Sequence, residues 1–366
     1  MHTVLILGGY GFFGARIARA LARDGSIHLL LGGRDAGKAQ ALARELDLPA
    51  MQGIGLDCHA PGLADWLQQH KVNTVIHTAG PFQGQDYAVA CSAIEAGANY
   101  IDLADGRDFV AGITQLDARA RERGVFVTSG ASSLPALSSA VVDRYAGRFS
   151  RLDAIRMGIG SGARAPGLAT MKGVFSYCGK PFARREQGAW ATRHGWLDML
   201  RYRFPAPVGS RLLGSCDVPD LALFPERYRG VQTVSFHAGF AGALGHLFIW
   251  LMAQLVRVRL LPSLLPLVEP LHKVSQWLEP VFSDKGGMFV VLEGLGSDGA
   301  ALKLAWHVIA ARNHGPNIPC GASIALARKL AGGETLPAGA MPCMGLLTTD
   351  EYLSALSEFD IMEIPA

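Results

Sequence analysis

Through the first 130 positions, apolar residues fall in short runs, each followed by a stretch with a helical period. Residues 4–7, 27–31, 51–56, 74–77, 100–103 and 125–128 read as buried strands. Residues 12–23, 36–46, 63–70, 87–96 and 109–123 read as the helices between them. This alternation predicts an α/β fold with a doubly wound parallel sheet and right-handed crossovers. After Gly130 the pattern changes. Residues 152–158, 173–177, 230–237, 287–293 and 302–311 look like strands of a second sheet, interrupted by helices, which is an α+β domain. Gly315-Pro316-Asn317-Ile318-Pro319 breaks the chain again. Helices then follow at 322–330 and 349–358, the last with Thr348 or Thr349 as N-cap. The expected organisation is a dinucleotide-binding domain over 1–135, with 315–366 packing back on it, and a substrate or dimerisation domain over 136–314.

Composition narrows the class. At 49% hydrophobic and 18% charged residues, a chain of 366 can fill two cores and still leave apolar surface for an interface. The net charge of +3, with no basic run, gives no footprint for nucleic acid. Cys58, Cys91, Cys178, Cys216, Cys320 and Cys343 are scattered, and the first strand begins at once without a leader; the expectation is a cytoplasmic protein with free thiols. The eleven histidines form no metal motif, so no metal is expected. One segment complicates this. Residues 238–256 carry no formal charge and nearly match a bilayer in length, although Gly239, Gly242, Gly245, His246 and Gln254 dilute them. A buried or interface helix, a membrane-surface segment within 238–268, and a true span all stay open.

The chemistry starts at Gly8-Gly9-Tyr10-Gly11-Phe12-Phe13-Gly14, set between the first strand and the first helix. That is the order a dinucleotide site needs. Gly9 suits a tight turn, Gly11 lets the backbone approach a pyrophosphate, and Gly14 lets helix and strand lie close. The helix N-terminus offers N–H groups and partial positive charge to phosphate. The ribose selector belongs at the end of the second strand, which reads Gly32-Gly33-Arg34-Asp35. An NAD site places a carboxylate there; here Arg34 is set to pair with a 2′-phosphate and Asp35 comes one position late. NADP is therefore expected ahead of NAD. Asp57, after the third strand, is a candidate for the adenine edge. Ala79-Gly80-Pro81, at the end of the fourth strand, faces the cofactor in such a fold.

These segments, with Ala90-Cys91, the run Ala96-Gly97-Ala98-Asn99-Tyr100-Ile101-Asp102, and Gly130-Ala131-Ser132-Ser133-Leu134-Pro135, resemble the saccharopine dehydrogenase-like family. Its members share the glycine start, the glycine–arginine pair, the AGPF turn, the AGxxYxD run and the GxSxxP turn. A segment at 164–170 is similar to the family's RGxAT. The resemblance is strong over 1–140 and weak over 185–310. It implies a Rossmann domain and an α+β domain that often builds a homodimer. It also implies nicotinamide-linked chemistry on secondary amines or, in relatives, on carbon–carbon double bonds of lipids. A substrate like saccharopine, with three carboxylates, needs a polar, arginine-lined site. Arg156, Arg164, Arg184, Arg185 and Arg193 are present, but 236–256 and 260–268 are strongly apolar, which points to an apolar or lipid-like small molecule.

A proton donor is harder to read. No tyrosine has a lysine four residues on, so the short-chain dehydrogenase pair is missing; Tyr177 and Lys180 are three apart. Candidates are His77, Asp102 and Lys172, with Ser132 placed at the nicotinamide or substrate. Each also has a structural reading, as a core histidine, a helix cap, a surface lysine and a turn serine. The functional expectation is an NADP-dependent oxidoreductase acting on C=N or C=C more than on C=O. The alternatives are a non-catalytic dinucleotide-binding protein and a lipid-surface protein with an auxiliary dinucleotide domain.

Overall fold

The structure, a computed structural model, describes residues 1–163 and 167–366. Residues 164–166, which open the RGxAT-like segment, lie outside the described residues. Two compact units emerge: Met1–Leu137 with Pro319–Ala355, and Ser138–Ile318 with Leu356–Ala366.

The first unit begins with β1 (His2–Leu7), α1 (Gly14–Leu21), β2 (Ile27–Gly33), α2 (Ala36–Glu45), β3 (Gly53–Gly55), α3 (Leu63–Gln69), β4 (Thr74–His77), α4 (Ala88–Ala96) and β5 (Asn99–Asp102). The helix expected over 109–123 is in three pieces: α5 (Arg107–Gly112), a 3-10 turn at Ile113–Leu116, and α6 (Asp117–Glu122). Gly112 and the β-branched pair Ile113-Thr114 weaken the helix where it divides. β6 (Phe126–Ser129) follows. Apart from β3, which has an exposed end at Gly55, the strands are mostly buried, as a parallel sheet demands. Leu5, Leu7, Val75, Tyr100 and Val127 meet Leu67, Ala93 and Ile94 from the helices in one core.

The second unit opens with α7 (Ser138–Ala146) and β7 (Phe149–Gly160). The strand expected over 173–177 is instead the end of α8 (Leu168–Tyr177); Met171 and Phe175, one turn apart, are its buried face. β8 (Pro181–Glu186) and β9 (Ala189–His194) form a hairpin, followed by β10 (Leu200–Arg203), β11 (Ser210–Ser215), α9 (Asp220–Arg227) and β12 (Thr233–Gly239). Next come α10 (Ala243–Arg257), α11 (Val268–Leu278), β13 (Gly286–Gly296) and β14 (Ala301–Ala310). Among the described residues no helix is long and apolar enough to cross a membrane, which removes the span reading of 238–256.

The chain then returns to the first unit with α12 (Gly321–Ala331), β15 (Gly339–Pro342) and α13 (Thr349–Ser354). Its sheet is fully parallel, in the order β15-β6-β5-β4-β1-β2-β3, as the alternating pattern predicts. The last strand, β16 (Ile361–Ile364), pairs with β14 of the second unit. The final eleven residues therefore lie with the second unit and not with the first, where they were expected. The second sheet runs β10-β11-β12-β7-β13-β14-β16 and is antiparallel except between β12 and β7. Phe204, Leu213, Phe289 and Ile309 fill its core.

Candidate dinucleotide site

β1 ends in Leu7, and Gly8 turns the chain at φ +80°, a left-handed conformation that favours glycine. The Gly8 and Gly9 N–H groups donate to the Gly32 carbonyl at 2.9 and 3.0 Å, and Gly11 N–H donates to the Gly8 carbonyl at 2.8 Å. A Cβ at Gly14 would run into that same Gly8 carbonyl, so only glycine lets α1 start this close to β1. α1 has no acidic residue in its first turn, and no side chain caps it at Phe13. The Ala15 and Arg16 N–H groups donate to the carbonyls of Gly11 and Phe13, each at 3.0 Å, so what the helix start keeps for an anion is its positive end, with no side chain in front of it. The Arg16 guanidinium stacks 4.0 Å from the Phe12 ring centroid and bonds the Phe12 carbonyl, while the Phe12 and Phe13 rings meet edge to face at 5.1 Å.

Two side chains outside the candidate set hold this turn. The Thr78 hydroxyl donates to the Leu7 carbonyl at 2.8 Å, tying the end of β4 to the glycine loop. Gln85 Nε2 donates to the carbonyls of Ala79 (3.1 Å) and Pro81 (2.7 Å), which fixes the 79–81 turn. The only sequence signal for Thr78 is its place directly after a strand. Gln85 leaves none.

The ribose end has a division of labour. The Tyr10 ring lies on Gly33 so closely that a Cβ there would strike it, and the Tyr10 hydroxyl accepts the Asp35 N–H at 3.0 Å. Asp35 is the N-cap of α2: its carboxylate accepts the Lys38 N–H at 3.0 Å and pairs with Lys38 Nζ at 3.5 Å. That backbone hydrogen bond holds the Asp35 carboxyl below its usual range. Arg34, between them, is exposed at the end of β2. Asp57 is also exposed and accepts the His59 N–H at 3.0 Å, a turn after β3.

His77 and Asp102 come together in the interior, at the carboxyl ends of β4 and β5. His77 Nδ1 shares a 2.9 Å hydrogen bond with the Tyr100 hydroxyl, which sits beside the Asp102 carboxylate. Asp102 accepts from the Ala104 N–H, the Ser129 hydroxyl and the Gly130 N–H, each at 2.9 Å, and so clamps two strand-end loops. Burial pushes His77 down to about 3, leaving it neutral at pH 7. Burial raises Asp102 to about 6 against the pull of its three donors. The buried Tyr100 hydroxyl is raised as well, first by desolvation and then by the Asp102 charge. His77 Nε2 is buried without a hydrogen-bond partner among the described residues. Ser132 is half-buried and donates its N–H to the Gly130 carbonyl at 2.7 Å.

Gly8, Gly9, Tyr10, Gly11, Phe12, Phe13, Gly14, Gly33, Arg34, Ala79, Gly80, Pro81, His77, Asp102 and Ser132 thus gather at the carboxyl ends of parallel strands in one unit, the side where such sheets bind ligands. Lys172 belongs to the other unit, on α8, where it pairs with Glu269 at 3.4 Å. Three arginines of that unit have internal partners. Arg184 is buried and contacts Glu186, Asp198 and Ser215; Arg193 bonds Glu186; Arg156 bonds Glu293.

Among known families, residues 4–141 match the saccharopine dehydrogenase NADP binding domain. A curated relative is the spectinabilin polyketide synthase system protein NorB of Streptomyces orinoci, 36% identical over 90 residues, 21% of this chain. The match spans only 4% of the length of that relative. Among solved structures, the apo saccharopine dehydrogenase (L-Glu forming) of Saccharomyces cerevisiae is similar over 100% of both chains, with a TM-score of 0.66 at 14% identity. The amine dehydrogenase of Mycobacterium smegmatis covers 96% of this chain and 95% of its own, with a TM-score of 0.50 at 14% identity. At such identity these two likenesses concern the fold.

Proposed function

We propose that this chain, whose residues 4–141 match the saccharopine dehydrogenase NADP binding domain, is an NADP-dependent oxidoreductase that transfers hydride to or from a C=N or C=C bond of an apolar or lipid-like small molecule. The cofactor supplies the hydride chemistry; the protein's part is to bind, orient and manage a proton. In this reading the Gly8–Gly14 turn and the α1 N-terminus hold the pyrophosphate, Arg34 pairs with the 2′-phosphate and Asp57 meets the adenine edge. Ala79, Gly80, Pro81 and Ser132 border the nicotinamide. His77 serves as a neutral N–H donor through Nε2, with Tyr100 and Asp102 fixing its orientation, and Lys172 contacts substrate. The apolar substrate class is supported by Arg156, Arg184 and Arg193, whose charges meet internal carboxylates and so are not set aside for a polycarboxylate. We place the protein in the cytoplasm as a homodimer, with a peripheral lipid contact through 238–268.

The observation that carries the reading is the pair Arg34 and Asp35. Asp35 is engaged as a helix cap, so the carboxylate nearest the ribose position is occupied and the exposed guanidinium stands in its place. NADPH should bind more tightly than NADH, and Arg34→Ala should lose tenfold to a hundredfold for NADPH alone, since a charge-assisted contact contributes about 1.5–3 kcal/mol. Titration of both cofactors against both proteins measures this; equal affinity in the unmodified protein overturns it. Turnover of imine, enoyl and carbonyl substrates with NADPH tests the chemistry. Binding without turnover of any class would favour the non-catalytic reading.

A further inference from the structure

α10 is apolar on both sides. His246, Ile249, Ala253 and Val256 form its buried side, and the last two lie against Gly179. On the opposite side Leu244, Leu247, Phe248 and Leu251 are exposed by 83, 42, 45 and 49%. Their i, i+3, i+4, i+7 spacing makes one continuous stripe where a surface helix carries charge. Val258 and Leu260 continue the exposed apolar surface past the helix end. At the other end the Phe282 ring packs on Gly242, which brings exposed Val281 to the end of α10 that bears Leu244. An exposed patch of this kind marks an interaction surface.

Charge says what covers it. Residues 238–268 contain no Asp or Glu, and they contain Arg257 and Arg259. Both arginines are exposed, and neither has a carboxylate partner among the described residues. An apolar stripe bordered by unpaired arginines complements an anionic lipid surface. The fifteen residues of α10 extend about 22 Å, short of the roughly 30 Å hydrocarbon core, so the helix lies along the surface and does not cross it. A second copy is a poorer fit: a two-fold contact would set this acid-free stripe against itself.

We propose that the outward side of α10 and its continuation through residue 260 is a peripheral docking surface for an anionic bilayer. Leu244, Leu247, Phe248 and Leu251 enter among the acyl chains, and Arg257 and Arg259 lie at the phosphates. This deepens the lipid-like substrate reading by giving the enzyme access to such molecules, but it does not depend on NADP binding.

The test uses the full chain and co-sedimentation with vesicles of phosphatidylcholine alone or with phosphatidylglycerol added. Sedimentation should require phosphatidylglycerol and weaken as salt rises. Replacing both Arg257→Ser and Arg259→Ser should lower partitioning about 25-fold, from about fivefold per arginine. Leu247→Ser with Leu251→Ser should abolish it; both positions are exposed, and retained NADPH binding reports that the variants fold. Equal sedimentation with both vesicle types, or none, overturns the proposal. So does a solution dimer that Leu247→Ser with Leu251→Ser converts to monomer, because that assigns the stripe to a second copy. NADPH titration separates these outcomes from failure of the oxidoreductase reading.

Discussion

Arg34 and Asp35 are neighbours in sequence, yet one faces solvent and the other is tied to Lys38. Counting from the glycine turn is enough to find Arg34, because the strand and helix lengths between them are set by the fold. Tyr10 over Gly33 and Thr78 against Leu7 are different: their partners lie 23 and 71 residues away, and no local pattern records them. His77 was visible as a histidine at a strand end, but its protonation depends on burial that only the packed core supplies. Its ordinary value of 6.5 falls to about 3. Between those values the unfolded chain binds a proton that the folded chain does not, so His77 takes stability away as pH falls through that window. Asp102, raised to about 6, has the opposite sign: its folded form holds the extra proton between about 4 and 6, and stability declines as pH rises there. His77→Gln keeps an amide for Tyr100 and does not titrate. Urea unfolding between pH 4.5 and 6.5 should then show stability rising less steeply with pH than in the parent, by up to about 1.4 kcal/mol per pH unit. An unchanged slope would show that the imidazole titrates as though solvated.

At the scale of elements, the five central strands of the first unit, β1, β2, β4, β5 and β6, were legible because they are buried and each reads as an apolar run. The hairpin β8–β9 was not. Its inward positions in β8 are Phe182 and Arg184, the latter buried by virtue of Glu186 on the same strand and Asp198 and Ser215 from neighbouring segments, so alternation is hidden behind a charge. α8 failed for the opposite reason: Gly173, Val174 and Phe175 suit a strand in isolation, and only the one-turn spacing of Met171 and Phe175 identifies the helix. The N-cap of α13 was readable to one of two neighbours, Thr348 or Thr349, and the structure has Thr348. Thr348 accepts the Glu351 N–H at 3.2 Å, and Glu351 returns to the Thr348 N–H at 2.7 Å, a capping box. Thr348→Ala should cost about 1 kcal/mol of stability while Thr348→Ser retains most of it, measured by chemical unfolding. Equal losses in the two variants would show that the hydroxyl is not the group that matters.

For the whole molecule, the family match stops at residue 141, but the first unit does not. Its sheet is completed by β15, which pairs in parallel with β6 after the intervening 138–318. The Thr128 hydroxyl donates to the Met341 carbonyl at 3.0 Å, and Asp117 accepts the Ala340 N–H at 2.9 Å. α12 adds the Ser323 hydroxyl to the Ala131 carbonyl at 3.1 Å and the Arg328 guanidinium to the Ala20 carbonyl at 3.0 Å. Ala340, Ile324 and Leu326 are buried by these contacts. A fragment ending at residue 137 therefore exposes β6 as an open sheet edge and loosens the 130–135 turn next to Ser132. Hydrogen exchange should find Val127 and Ser129 well protected in the full chain and fast in the fragment, and NADPH binding should weaken in parallel. Joining residues 319–355 to the fragment through a flexible linker should restore both. If the fragment alone protects β6 and binds NADPH as the full chain does, then the returning segment is an addition to the dinucleotide domain and not a part of it.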